Sequence, residues 1–107
     1  MASQEIQLIA IMKPLAGKTD ELAAHLVETG KNIQRTEPGT LAWYVVQPQG
    51  GDELIVVERY KDAESLKLHS KSGHLKALTE TAGPLLREPP TIKAGPQVAG
   101  FRREEKL

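Results

Sequence analysis

Two apolar runs joined by a short turn lie in the middle of this chain and restrict its fold more than any other feature. Residues 41–47 read LAWYVVQ, residues 53–61 read ELIVVERYK, and the letters between them are PQGGD. Both runs are rich in β-branched and aromatic residues, and a proline followed by two glycines marks a turn. The pattern therefore predicts an antiparallel β-hairpin.

A strand and a helix precede this hairpin. The apolar residues of segment 4–13 alternate as in a strand. A helix is predicted over about 19–35, where leucine and isoleucine recur at helical spacing, and Thr19 is its expected N-cap. The Glu-Pro-Gly at 37–39 ends this helix by removing a backbone donor and supplying a flexible hinge.

A second helical region and two short strand pieces follow the hairpin. Asp62 is the expected N-cap of the next helix, which Ser-Lys-Ser-Gly at 70–73 interrupts. Segments 91–94 and 97–101 read as strand pieces broken by Gly-Pro. The resulting order is β-α-β-β-α-β, which predicts an α+β, ferredoxin-like fold with both helices on one face of an antiparallel sheet.

The predicted strands are apolar on both faces. In the third strand, Leu54 and Val56 point to one side while Ile55 and Val57 point to the other. Helices cover only one face, and hiding several hundred Å² of apolar surface at roughly 25 cal/mol per Å² strongly favours association. We therefore predict a homodimer joined sheet to sheet. Alternatively, loops and the C-terminal tail cover the second face.

Composition limits the classes of function. The 107 residues predict a single domain over 1–107, with a frayed tail at 102–107. Fourteen basic and fourteen acidic residues give zero net charge, which argues against a nucleic-acid partner. The absence of cysteine excludes thiolate metal sites and a cysteine nucleophile. Without a leader or a membrane-length apolar run, we expect a cytoplasmic protein with no membrane partner.

The region after the third strand resembles a known family. A strand ends in Glu-x-aromatic, Asp-Ala begins a helix, and His-x-x-Ser-x-His-Leu follows. The chain is thereby similar to the antibiotic biosynthesis monooxygenase (ABM) family of dimeric α+β barrels, over residues 6 to about 98. The matching residues are Glu58, Tyr60, Asp62, Ala63, Leu66, His69, Ser72, His74, Leu75 and Leu78.

This resemblance implies several activities. Members of the family include cofactor-independent oxygenases of quinols or anthrone-like polyphenols, haem-degrading enzymes, and isomerases of small sugar-derived molecules. Tyr60 stands where the family usually has tryptophan. Haem-degrading members use an Asn, Trp and His set, and the first strand of this chain has no Asn, so haem degradation is disfavoured.

Three side chains are the candidates for acid–base chemistry. If the strand face that carries Glu58 turns toward the helices, desolvation raises the pKa of its carboxyl toward neutrality. His69 and His74 lie close to this strand in sequence, and imidazole moves protons well at neutral pH. Alternatively, His69 only orients Glu58 through a structural hydrogen bond. The five-residue spacing of the histidines is poor for chelation from one helix, so no metal is expected.

Six residues are predicted to border a substrate, although each also has a structural reading. Aromatic residues could form a flat wall for an aromatic ligand or simply pack in the core or a dimer interface. His25 adjoins the buried stripe of the first helix, and its position favours a solvated or boundary histidine over a ligand contact. The six residues are Met12, His25, Trp43, Tyr60, Ser72 and Leu78.

Our leading hypothesis is a cofactor-independent monooxygenase that oxidises a small aromatic or quinol-like compound with molecular oxygen. The predicted catalytic residues are Glu58, His69 and His74, with neither a cofactor nor a metal. One alternative is an isomerase or tautomerase that uses the same groups without oxygen. Another is a non-catalytic dimer that binds a small ligand.

Overall fold

The computed structural model of the protein describes residues 4–103. It has an α+β, ferredoxin-like fold in which one four-stranded antiparallel sheet carries the helices on one face, as predicted. The strands lie in the order β2-β3-β1-β4. The elements are β1 (Ile6–Met12), α1 (Thr19–Thr36), β2 (Thr40–Val46), β3 (Leu54–Tyr60), α2 (Ala63–Ser70), α3 (Gly73–Ala82), a 3-10 turn (Gly83–Leu85) and β4 (Thr91–Gly95).

Local sequence signals predict most of these boundaries to within two residues. Asp62 is the N-cap of α2, as predicted, and its carboxylate accepts a hydrogen bond from the Ser65 amide at 2.8 Å. The prediction for Thr19 is wrong. Lys18 is the N-cap of α1 because its carbonyl already accepts the first helical bond, from the Leu22 amide at 3.0 Å.

The C-terminal prediction holds only in part. β4 forms as predicted, but residues 97–101 make no strand. Pro96 follows β4 directly, and its missing amide proton cannot extend the ladder of hydrogen bonds. Arg102 and Arg103 have no regular structure, and the rest of the predicted frayed tail, residues 104–107, lies outside the described residues.

The core lies between the sheet and the helices. Alternate residues of β3 point toward the helices and are buried. The corresponding face of β1 contributes three more buried side chains to the same layer. The buried cluster comprises Leu8, Ala10, Met12, Leu22, Leu26, Leu54, Val56, Tyr60, Leu78, Ala82 and Leu85.

The opposite face of the sheet, here called the open face, is also apolar. Strand register aligns its apolar side chains in two rows across β1, β3 and β2. Tyr44 is 53% exposed, and Ile9 and Val46 are each 43% exposed. The two-sided apolar character predicted for the strands is therefore confirmed. The rows are Ile9, Val57 and Tyr44, and Ile11, Ile55 and Val46.

Within residues 4–103, no helix combines the length and the apolar character needed to cross a bilayer. The candidate site lies in the layer between the sheet and the helices described above.

Candidate active site

Glu58 is a carboxylate buried in the apolar layer between sheet and helices. The alternation of β3 places it on the helix-facing side between Val56 and Tyr60, both of which are buried. Its Oε1 accepts a hydrogen bond from the Tyr60 hydroxyl. Burial raises the pKa of Glu58, and the Tyr60 hydrogen bond and the nearby His69 offset this only in part. Burial and the same carboxylate raise the pKa of the Tyr60 phenol, which stays protonated as the donor.

His69 connects Glu58 to a second carboxylate. Its ring is buried in the last turn of α2, with Nε2 3.5 Å from Glu58 Oε1 and Nδ1 2.9 Å from Glu37 Oε1. The ring also packs against Tyr60, with centroids 5.3 Å apart. A neutral imidazole can donate to only one of the two carboxylates, whereas the protonated form can donate to both. The imidazole is therefore placed to exchange a proton with either carboxylate.

Glu37 is the site residue that sequence analysis missed. It is the C-cap of α1, and its carboxylate binds the imidazoles of both His69 and His74. Burial alone would raise the pKa of Glu37, but the hydrogen bonds from His74 and His69 outweigh it and hold the pKa below its ordinary value. One feature of the sequence could have indicated Glu37. An acid at the C-terminus of a helix opposes the helix dipole, so its presence there calls for a partner.

The turn that follows Glu37 brings it to α2. Gly39 packs so closely on that helix that a Cβ at this position would lie 2.6 Å from Ser65 Cβ and 2.1 Å from Ser65 Oγ. The Gly39 carbonyl also accepts a hydrogen bond from the Lys61 amide at 2.9 Å. Only glycine permits the turn to lie this close to α2. This close packing brings Glu37, at the end of α1, within hydrogen-bonding distance of His69 in α2.

Replacing Gly39 by alanine should therefore loosen the whole hydrogen-bonded cluster. We expect Gly39→Ala to lose about 1–3 kcal/mol of unfolding free energy, because α2 must move away to accommodate the methyl group. Urea denaturation measures this loss. The matched control is Gly73→Ala, since a Cβ at Gly73 meets no atom within 4 Å. Equal stability of the two variants would contradict the assigned close packing.

A cavity of about 220 Å³ lies beneath the helices, and Glu58 and His69 form part of its wall. The rest of its lining is mostly apolar. Of the residues predicted to border a substrate, Met12, Trp43 and Leu78 line this cavity. The fold thus brings a buried acid and an imidazole together beside an apolar space.

Trp43 faces the helices rather than the open face. Register pairs it with Glu58 across β2 and β3, so the two side chains share one side of the sheet. Its ring packs on α1 at Gly30, where a Cβ would come within 2.9 Å of Trp43 Cζ3. The indole is therefore a wall of the cavity rather than part of the open face.

The remaining predicted residues lie outside the cavity lining. Tyr60 acts through its hydrogen bond to Glu58. His74 and Ser72 border a second hollow of about 510 Å³, here called the outer pocket, together with Glu37 and Thr40. Ser72 is the N-cap of α3 and accepts a hydrogen bond from the Leu75 amide. His25 is half-buried on α1 and borders neither space.

Comparison with known proteins connects this chain to a family and a fold. The family model described as antibiotic biosynthesis monooxygenase matches residues 6–81. A candidate antibiotic biosynthesis monooxygenase from Caulobacter crescentus is 22% identical, with a TM-score of 0.85 over 91% of this chain and 92% of that one. A candidate member from Nitrosomonas europaea is 16% identical, with a TM-score of 0.83 over 92% and 94% of the two chains.

A third similar structure is Rv0793 from Mycobacterium tuberculosis, which is 24% identical with a TM-score of 0.79 over 94% of this chain and 99% of that one. At these identities, the structural similarity shows a shared fold. No functionally curated protein matches the chain.

Proposed function

This chain belongs to the antibiotic biosynthesis monooxygenase family, and from that premise we propose that it oxidises a small aromatic, quinol-like compound with molecular oxygen. One observation carries the proposal: the apolar cavity beneath the helices has a buried carboxylate–imidazole pair, Glu58 and His69, in its wall. An apolar pocket with a few convergent polar groups is the usual form of a small-molecule site.

The size of the cavity suits one ring. A cavity of roughly 150 Å³ in an engineered protein core holds benzene, and the space here is about 220 Å³. It therefore has room for a single aromatic ring with a few substituents. Trp43 supplies a flat wall for that ring, and Met12 and Leu78 supply adaptable apolar contacts.

Glu58 is the proposed base. Because burial raises its pKa, the carboxylate is closer in basicity to a phenolate than an exposed glutamate would be, which favours proton transfer from a phenolic hydroxyl. The hydroxyl of Tyr60 holds Glu58 in place. His69 then passes the proton on, since its other ring nitrogen contacts Glu37.

The electrons come from the substrate itself. The deprotonated quinol gives one electron to dioxygen, and the resulting radical pair combines into a carbon–oxygen bond. One oxygen atom stays on the ring as the product becomes a hydroxyquinone, and the other leaves as water with two hydrogens from the substrate. The chemistry therefore needs no external reductant, and the protein contributes orientation and exclusion of water.

We also propose that two copies associate through their open faces. The two apolar rows of that face lie side by side across three strands, on the opposite side from the helices. Removing such a patch from water is worth roughly 25 cal/mol per Å². A twofold axis would bring the same rows of both copies together.

Oxygen uptake with a panel of substituted quinols tests the proposed activity. We expect uptake above the rate of autoxidation and one hydroxyquinone formed per O2 molecule consumed. His69→Gln should slow turnover at least tenfold because the imidazole touches Glu58. His25→Gln should not, because His25 borders neither the cavity nor the outer pocket.

An anaerobic arm separates this proposal from its alternatives. Substrate conversion without oxygen would point to an isomerase or tautomerase that uses the same acid–base pair. Thermal stabilisation by a quinol without any conversion would point to a non-catalytic binding protein. Either result would contradict the monooxygenase proposal.

A further inference from the structure

Three metal-binding side chains converge on the outer side of His69, away from the cavity. They are Glu37 at the end of α1, His69 in α2 and His74 in α3. One donor atom from each lies within 4.8 Å of the other two. Their side chains are only 11%, 6% and 18% exposed, respectively. The three donors are therefore largely shielded from solvent and include two imidazoles, unlike a cluster of exposed acidic groups.

We propose that Glu37, His69 and His74 bind a divalent transition-metal ion, with Zn²⁺ as the ion that their donor set fits best. Two imidazoles and one carboxylate are typical zinc ligands, with metal–donor distances of about 2.0–2.2 Å. Tetrahedral geometry at those distances separates the donor atoms by about 3.3 Å. Glu37 Oε1 and His69 Nδ1 are already 2.9 Å apart. Small side-chain rotations would therefore bring all three donors onto one ion.

The break between α2 and α3 makes this arrangement possible. Within one helix, residues five apart do not share a face, so the sequence spacing of His69 and His74 argues against joint binding. In the structure, α2 ends at Ser70 and α3 begins at Gly73, which places the two imidazoles on separate helices. Both rings therefore reach the same Glu37 carboxylate.

The surroundings supply the supporting contacts that a metal site requires. A histidine that binds a metal through one nitrogen usually donates its other N–H to a carboxylate. If His69 Nδ1 binds the ion, Nε2 carries the proton and faces Glu58 Oε1 at 3.5 Å. Thr40 Oγ1 donates to Glu37 Oε1 at 3.0 Å and orients that ligand.

The outer pocket provides access for the ion. Glu37 and His74 both line it, so an ion can enter from this side and keep a water as its fourth ligand. Lys61 also borders the pocket, and its positive charge would repel a cation. Its side chain is exposed, however, so solvent screens this repulsion. The ion would tie the end of α1 to α2 and α3, and it would lock the tautomer of His69. An ion on His69 Nδ1 would also block the onward transfer of a proton from His69 to Glu37, so the metal-bound form and the proposed proton relay are alternative states of this site. Metal binding itself is tested without the oxygenase activity.

Metal binding by the full chain tests the proposal without any substrate. The protein is treated with EDTA, exchanged into buffer, and titrated with Zn²⁺ by calorimetry and with Co²⁺ by visible absorption. We expect saturable binding of one ion per protomer, an intense tetrahedral Co²⁺ spectrum, and a rise in Tm with Zn²⁺. Glu37→Gln and His74→Ala should each weaken binding at least tenfold.

His25→Ala is the matched control, because it removes a histidine that lies outside the cluster, and it should bind the ion as the unaltered protein does. Glu37→Gln preserves the shape of the ligand side chain. If circular dichroism shows that His74→Ala is unfolded, the affinity of Glu37→Gln for the ion tests the proposal alone. The proposal is overturned if no saturable binding occurs, or if Glu37→Gln binds as tightly as the unaltered protein. Equal weakening in His25→Ala would also overturn it.

Discussion

Glu58→Gln is expected to reduce turnover by about 10²–10⁴-fold, the usual contribution of a positioned acid–base group. The amide fills the same space and still accepts the hydrogen bond from Tyr60, but it cannot take a proton from the substrate. Ligand binding in the cavity should therefore survive while the rate falls. Initial rates and quinol binding by thermal shift, measured side by side, check both parts of this result.

The same substitution is expected to stabilise the fold at neutral and alkaline pH. The pKa of Glu58 in the folded protein is raised above its ordinary value of 4.5, so the folded state binds more protons than the unfolded state between these two pKa values. Stability is therefore lost as pH rises through that window. Glutamine does not ionise, so the variant avoids this loss.

Thermal unfolding in the presence of EDTA, at several pH values, measures the gain. We expect a higher Tm for Glu58→Gln than for the unaltered protein at pH 8, and a smaller difference near pH 4, where the Glu58 carboxyl is mostly protonated in both the folded and the unfolded state. Glu80→Gln, on an exposed position of α3, is the matched control and should show no such trend. The opposite trend would be a Tm difference, variant minus unaltered protein, that falls between pH 4 and pH 8. It would show that the folded state favours the ionised form of Glu58 and would contradict the prediction.

Val57→Lys is expected to convert the proposed dimer into monomers. Val57 lies in the centre strand of the open face, between Ile9 and Tyr44. A twofold interface would bury two unpaired ammonium groups, each at a cost of several kcal/mol. In the monomer the same lysine would face water, so the fold should survive.

Light scattering coupled to size exclusion measures the outcome. The unaltered protein should elute with twice the protomer mass of 11.7 kDa, and Val57→Lys with the protomer mass. Val27→Lys makes the same change on an exposed position of α1, away from the open face, and should remain dimeric. A monomeric unaltered protein, or a monomeric Val27→Lys, would contradict an open-face interface.

Several features of the fold followed from neighbouring residues alone. The hairpin over β2 and β3 is a local pattern of β-formers and a turn, and the Asp62 cap lies next to the helix it begins. The pleat of β3 alone places Glu58 and Arg59 on opposite faces of the sheet. Errors were also local. They concern the ends of elements: the N-cap of α1, and the strand piece predicted at 97–101 after Pro96.

The composition of the site depended on contacts that no local pattern contains. Glu37 lies 32 residues from His69 and 37 residues from His74 in the chain. The Glu-Pro-Gly segment at 37–39 reads as a helix stop in sequence, and only the approach of α2 at Gly39 turns it into a hydrogen-bonding centre. The same packing separates His74 from the cavity that His69 borders.

The amino-acid sequence by itself determined the order of the elements, the side of β3 on which Glu58 lies, and the apolar character of both sheet faces, because strand and helix periodicities are properties of adjacent residues. Only the tertiary structure decided which ionisable side chains meet, namely Glu58 with His69 and both histidines with Glu37. Those contacts depend on how the helices seat on the sheet, and close packing over the whole domain, rather than local spacing, sets that geometry.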